Sequence, residues 1–106
     1  MNITASELTQ LLEEFAQFTN KKAAGIYRTA LTDADKEARD CLLGKMRSLQ
    51  LDVKVDPVGN MFGFRKGKQD VPPVAFGSHL DAVPNGGKYD GALGVAAGLM
   101  VMKKLH

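Results

Sequence analysis

The side chains of this sequence best able to do chemistry gather in one stretch. His79, Asp81 and Asp90 lie within Phe76-Gly77-Ser78-His79-Leu80-Asp81-Ala82-Val83-Pro84-Asn85-Gly86-Gly87-Lys88-Tyr89-Asp90-Gly91. An imidazole with carboxylates is a donor set suited to zinc or a neighbouring divalent ion such as manganese, cobalt or nickel. If His79 and Asp81 continue the apolar run Val74-Ala75-Phe76 as one strand, period-two alternation turns both to the same face. One of them can then ligate a metal while the other, directly or through the backbone, fixes the imidazole tautomer and raises its basicity. Asp90, on a turn before an apolar helix, would add a hard carboxylate oxygen. A structural reading stands beside this one, because a lone histidine is more often hydrogen-bonded scaffold than ligand and Asp-Gly is commonly a plain turn. Spacing alone leaves both open.

The elements that must position these residues follow from periodicity. From Ser6 to Phe18, Leu8, Leu11, Leu12, Phe15 and Phe18 repeat at helical offsets, with Ser6 or Thr4 as the N-cap and the Thr19-Asn20-Lys21-Lys22 run, with Gly25 beyond, as the stop. Asp33 to Leu49 forms a second helix capped by Thr32, burying Ala34, Ala38, Cys41, Leu42, Met46 and Leu49. Leu51, Val53 and Val55 then alternate with polar residues as a strand, Pro57-Val58-Gly59-Asn60 turns the chain, and residues 61–65 return as its hairpin partner. Pro73 opens a third, continuously apolar strand at Val74-Ala75-Phe76, expected inside a sheet covered on both faces. Gly91 to Leu105 forms a third helix with Leu93, Val95, Ala96, Leu99, Met102 and Leu105 as its apolar set and Gly and Ala where it approaches the sheet. The order reads as an α/β unit with hairpin and third strand in one sheet, and His79 and Asp81 fall beyond a strand's carboxyl end, where open α/β sheets bind ligands. A right-handed crossover after the third helix would require another parallel strand, so the expectation is a segment of a longer domain.

Composition removes several function classes. Of 106 residues, 44% are hydrophobic and 25% charged, which fits a globular chain rather than a disordered one. Fourteen basic against twelve acidic residues leave a formal charge of +2, scattered without a basic stripe, which argues against nucleic acid and anionic membranes. The longest apolar run near the C-terminus, Val95 to Met102, is far short of the roughly 20 residues of a membrane span. A single cysteine and no apolar leader point to a reducing, cytoplasmic setting. Cys41, on an apolar helix face, reads as packing. His106 reads as a terminal residue without a role, and Tyr89 as packing, or else as the donor of one hydrogen bond. Asn85-Gly86-Gly87 is either a flexible loop or a backbone passing close to a bound group.

The run from Gly77 through His79, Asp81 and Asp90 to Leu99 resembles the metal site of the M20-type amidohydrolases, in the hydantoinase/carbamoylase branch of N-carbamoyl-L-amino acid hydrolases, allantoate amidohydrolases and β-ureidopropionases. Gly25-Ile26-Tyr27-Arg28, Ala38-Arg39-Asp40 and Asp56-Pro57-Val58-Gly59-Asn60-Met61-Phe62-Gly63 are also similar to that family. The short interval from His79 to Asp90 and its Asn-Gly-Gly loop favour this branch over related dipeptidases and deacylases. The resemblance implies that residues 1–106 are the N-terminal part of a zinc-exopeptidase-like, three-layer α/β catalytic domain, helices packed on a mixed sheet. It implies His79 as ligand of one metal in a two-metal site, Asp90 as the carboxylate bridging both metals, and Asp81 as the residue supporting His79. The implied cofactors are two divalent ions (zinc, manganese, cobalt or nickel) and the implied reaction is hydrolysis of a C–N bond in a small ureido or amide substrate by a homodimer.

The family's general-base glutamate, its remaining ligands, its substrate-binding arginine and histidines and its dimerisation domain lie downstream of the segment seen here. The chain alone is therefore expected to be inactive. The competing expectations are a stand-alone, non-catalytic interaction or regulatory module and a piece of an M20 peptidase.

Overall fold

A capping box starts the first helix. In the computed structural model, which describes residues 2–20 and 24–105, α1 spans Ala5–Ala16 with Thr4 as its N-cap. The Thr4 hydroxyl accepts from the Glu7 amide at 3.1 Å, while the Glu7 carboxylate accepts from the Thr4 amide at 3.1 Å. Thr4, rather than Ser6, is thus the cap. The helix ends before Phe18, although Phe18 still packs against the core. Of the expected stop, Lys21 and Lys22 lie outside the described residues, as does His106.

Helix α2 spans Asp33–Ser48 with Thr32 as its N-cap, Asp33 and Asp35 in its first turn and Lys45 and Arg47 in its last, charges that complement the helix dipole at each end. Strands β1, Asp52–Val55, and β2, Met61–Phe64, pair antiparallel, with Val53 opposite Gly63 and Val55 opposite Met61. The turn between them is organised by Asp56, whose carboxylate accepts from the amides of Val58 (3.0 Å) and Asn60 (2.8 Å) and from the Asn60 side chain (2.8 Å). Those bonds, the Asn60 side chain first, hold the Asp56 carboxyl below its ordinary range.

Helix α3 spans Ala92–Lys104. Its buried face differs from the expected one: Ala92, Ala96 and Met100 are buried, with Val95 and Leu99 partly so, whereas Leu93 and Leu105 are exposed. A helix apolar nearly all round carries too little contrast for spacing to choose its inner stripe. The core joins Leu11, Leu12 and Phe15 of α1, Ala38 and Leu42 of α2, Ala92, Ala96 and Met100 of α3, and Leu80, with Cys41 and Met46 packed against it. Arg65 then ties the hairpin to two helix ends, donating to the Leu49 carbonyl after α2 and the Met102 carbonyl in α3, each at 2.9 Å.

The third strand and the mixed sheet expected from Val74-Ala75-Phe76 are not formed among the described residues, whose sheet is the β1–β2 pair alone. A strand exists through its ladder, and residues 74–81 make no backbone-to-backbone hydrogen bond to another described residue. They lie along α3 instead. A methyl built on Gly98 would sit 2.9 Å from the Phe76 ring, and one on Gly94 2.6 Å from Ser78 Cβ. The expected close approach at the glycines of α3 is therefore made to this segment. The α/β class stands in reduced form, as three helices and a two-stranded sheet.

Candidate functional site

Although no ladder forms, alternation survives where it matters. Leu80 and Ala82 are buried, which turns the intervening Asp81 and the preceding His79 outward. Below them lies a residue to which sequence reasoning assigned no role. Arg28 is 2% exposed, and its guanidinium donates to three carbonyls: Nε to Leu80 at 2.8 Å, and Nη1 to Phe15 at 2.6 Å and Phe18 at 2.8 Å. The Arg28 carbonyl in turn accepts from the Ala82 amide at 2.7 Å. Burial lowers the Arg28 pKa from its ordinary value, opposed by the nearby charges of Asp35 and Asp81. No local sequence signal marks such a residue, because its burial depends on carbonyls brought together only by tertiary packing.

Further along, Ile26 and Gly86 exchange two backbone hydrogen bonds of 2.9 and 2.8 Å, fixing the loop that leads to Asp90. Asn85 adopts φ 55° in that loop. Of the two readings of Asn85-Gly86-Gly87, the close partner of Gly86 is thus the protein's own backbone. Lys88 pairs with Glu13 of α1, tying the loop to the helix on the surface, and this pairing raises the Lys88 pKa. Tyr89, expected to pack, is exposed instead, with the Lys88 ammonium 5.6 Å from its ring centroid. Cys41 is partly buried with its thiol 3.7 Å from a Glu14 carboxylate oxygen; burial, and then Glu14, push its pKa up, which suits an inert packing thiol.

His79, Asp81 and Asp90 converge. His79 Nδ1 lies 3.0 Å from the Asp81 backbone oxygen and 3.4 Å from Asp81 Oδ1. A carbonyl oxygen only accepts, so Nδ1 carries the proton and, in the neutral ring, Nε2 presents its lone pair. Asp81 thus supports His79 mainly through its backbone. Nε2 faces Asp90 Oδ1 at 3.5 Å, and all three side chains are about half exposed. That distance is too long for an N–H···O hydrogen bond. Two ligand atoms each about 2.1 Å from a tetrahedral ion stand roughly 3.4 Å apart, so the separation suits two donors sharing one cation. Gly91 makes the approach possible: its φ is +74°, and a Cβ there would overlap the His79 ring. Among the described residues, no group of three or more His, Cys, Asp or Glu side chains is placed to hold a metal ion. The arrangement offers one imidazole nitrogen and one carboxylate oxygen, a partial donor set.

Comparison with known proteins carries this further. No family model matches the chain. It is 40% identical over 105 residues to an N-carbamoyl-L-amino-acid amidohydrolase of Rhizobium meliloti, covering 98% of this chain and 25% of that protein. It is 38% identical over 101 residues to the allantoate amidohydrolase of Bacillus subtilis, covering 94% of this chain and 24% of that one. The crystal structure of a hydantoinase/carbamoylase family amidase from Burkholderia ambifaria superposes with a TM-score of 0.91 at 40% identity, over 97% of this chain and 26% of that chain. Over nearly its whole length this chain is homologous to amidohydrolases and to structures of the hydantoinase/carbamoylase family. It spans about a quarter of the length of the family members it matches. Among the described residues, no helix is long and apolar enough to cross a membrane.

Proposed function

We propose that this chain carries the first metal-binding segment of a metal-dependent amidohydrolase, which hydrolyses a C–N bond of an N-carbamoyl amino acid, allantoate or a related ureido or amide compound. The observation that carries the reading is the 3.5 Å approach of His79 Nε2 to Asp90 Oδ1 while Nδ1 is engaged by Asp81. Two acceptors facing each other repel, and a divalent cation between them turns the repulsion into ligation. The relatives' names, which join hydrolysis to carbamoyl amino acids and allantoate, supply the substrate class.

In this reading His79, through Nε2, and the Asp90 carboxylate would hold the divalent metal, and Asp81 holds the imidazole in the tautomer that leaves Nε2 free. Zinc, manganese, cobalt or nickel ions held there, two per site in the complete enzyme, would supply Lewis-acid activation of a water and of the scissile carbonyl. The described residues contain neither the further ligands nor a general base placed beside this pair, so the proposal makes the isolated chain inactive. The working form is a cytoplasmic homodimer in which residues 1–106 are the N-terminal segment of the catalytic domain.

The test is ammonia and amino acid release by the full protein, with each divalent metal, from N-carbamoyl amino acids, allantoate and a peptide panel. Metal-dependent release from a ureido compound is expected. Release from peptides alone would move the protein to the peptidases, and no release from any substrate would support a non-catalytic module.

A further inference from the structure

The candidate site rests on a clamp whose effect reaches beyond stability. Arg28 grips both neighbours of Asp81, since its Nε donates to the Leu80 carbonyl at 2.8 Å and its carbonyl accepts from the Ala82 amide at 2.7 Å. In locally extended backbone, the carbonyl of residue 80 and the amide of residue 82 point to one side, and the amide and carbonyl of residue 81 to the other. Holding the flanking groups from below therefore aims the Asp81 carbonyl away from Arg28. That carbonyl is what His79 Nδ1 meets at 3.0 Å. The same guanidinium is fixed to the end of α1 through the Phe15 and Phe18 carbonyls, at 2.6 and 2.8 Å. With three carbonyl partners and 2% exposure, it has one well-defined place.

We propose that Arg28 is a positioning residue for the site, setting the His79 tautomer and the His79–Asp90 spacing through the Leu80 and Ala82 peptide groups. Its guanidinium touches no reacting atom and acts through the Asp81 backbone. Lysine in its place could reach one carbonyl at a time, as a point charge without the planar fork that joins Leu80 to α1. The metal-affinity consequence rests on the reading of His79 and Asp90 as ligands, whereas the tautomer consequence does not.

The experiment compares Arg28→Lys and Arg28→Met with wild type in the full protein, using circular dichroism to establish folding. Imidazole nitrogens are read by NMR of the metal-free, ¹⁵N-histidine-labelled protein at a pH where the ring is neutral, with His79→Gln assigning the signal. Zinc affinity is read by competition with a chromogenic chelator. The wild type is expected to hold His79 protonated on Nδ1. Folded variants are expected to populate the Nε2-protonated form substantially and to lose about ten- to a hundredfold in zinc affinity. A folded variant with the wild-type tautomer and zinc affinity overturns the proposal. So does failure of both variants to fold, which would make Arg28 a support of the fold as a whole. A wild type that binds no zinc sinks the metal reading, and the tautomer result then decides the role of Arg28 alone.

Discussion

The two sides of the segment that carries His79 are built differently. Beneath it, Leu80 and Ala82 enter a closed region where Phe15 is fully buried, Arg28 has all its carbonyl partners, and no buried side-chain polar atom among the described residues lacks a hydrogen bond. Before it, Val74 is 91% exposed and Phe76 53%, while across the hairpin Phe62 and Phe64 are also open to solvent. The first region gains stability from burial and matched hydrogen bonds, and the second presents large apolar side chains on the surface of the described residues. The lesson concerns where the order of the site comes from. The half-exposed trio of His79, Asp81 and Asp90 is tied to the closed region through short backbone hydrogen bonds.

The largest test of that contrast compares two aromatic truncations. Phe15→Ala removes a fully buried ring and is expected to cost about 3–5 kcal/mol in urea unfolding, whereas Phe62→Ala, on the open side, should stay within about 0.5 kcal/mol. Equal losses would break the comparison. Next is Gly91→Ala, which places a Cβ at φ +74° against the His79 ring. It is expected to cost about 1–3 kcal/mol and to weaken divalent-metal binding by the full protein, measured by calorimetric titration. Thr4→Ala removes half of the capping box on α1 and should cost about 1 kcal/mol by thermal unfolding, with metal affinity unchanged.

The smallest expected effect is in pH. Hydrogen bonds hold Asp56 below its ordinary range, from the Asn60 side chain first, and Glu7 likewise, from the Thr4 backbone first and then Lys104. Because both folded values lie below the unfolded ones, the unfolded chain takes up protons first. The contribution is present above the unfolded carboxylate values, roughly pH 4, and is lost as pH falls through the folded ones. Asp56→Ala should flatten that slope in acid unfolding curves and leave stability near neutrality with no pH dependence of its own.

What was legible in the sequence divides along the same line. α1, α2 and the hairpin followed from periodicity and capping residues, because local rules and tertiary packing agree at Leu11, Leu12, Phe15, Thr32 and Leu42. The shared face of His79 and Asp81 was legible too, since alternation across Leu80 and Ala82 is local, whereas Asp90 meets His79 through the turn at Gly91, which no local periodicity marks. The third strand is not formed among the described residues because an apolar run names no partner, and Phe76 and Ser78 lie against Gly98 and Gly94 of α3 instead. Arg28 could not be found, because a buried guanidinium is satisfied by carbonyls from Phe15, Phe18 and Leu80, which are distant in sequence. Tyr89 was read by its type, while its loop is fixed by the Ile26–Gly86 bridge and the Lys88–Glu13 pair in a position that leaves the ring exposed.

The central claim is that His79 Nε2 and Asp90 share a divalent cation. It is tested most directly by a crystal structure of the full protein with zinc, the ion located by its anomalous scattering. The account predicts an ion about 2.0–2.2 Å from both His79 Nε2 and an Asp90 carboxylate oxygen, with Nδ1 still hydrogen-bonded to the Asp81 carbonyl. An ion bound through Nδ1, or bound away from both residues, would contradict it.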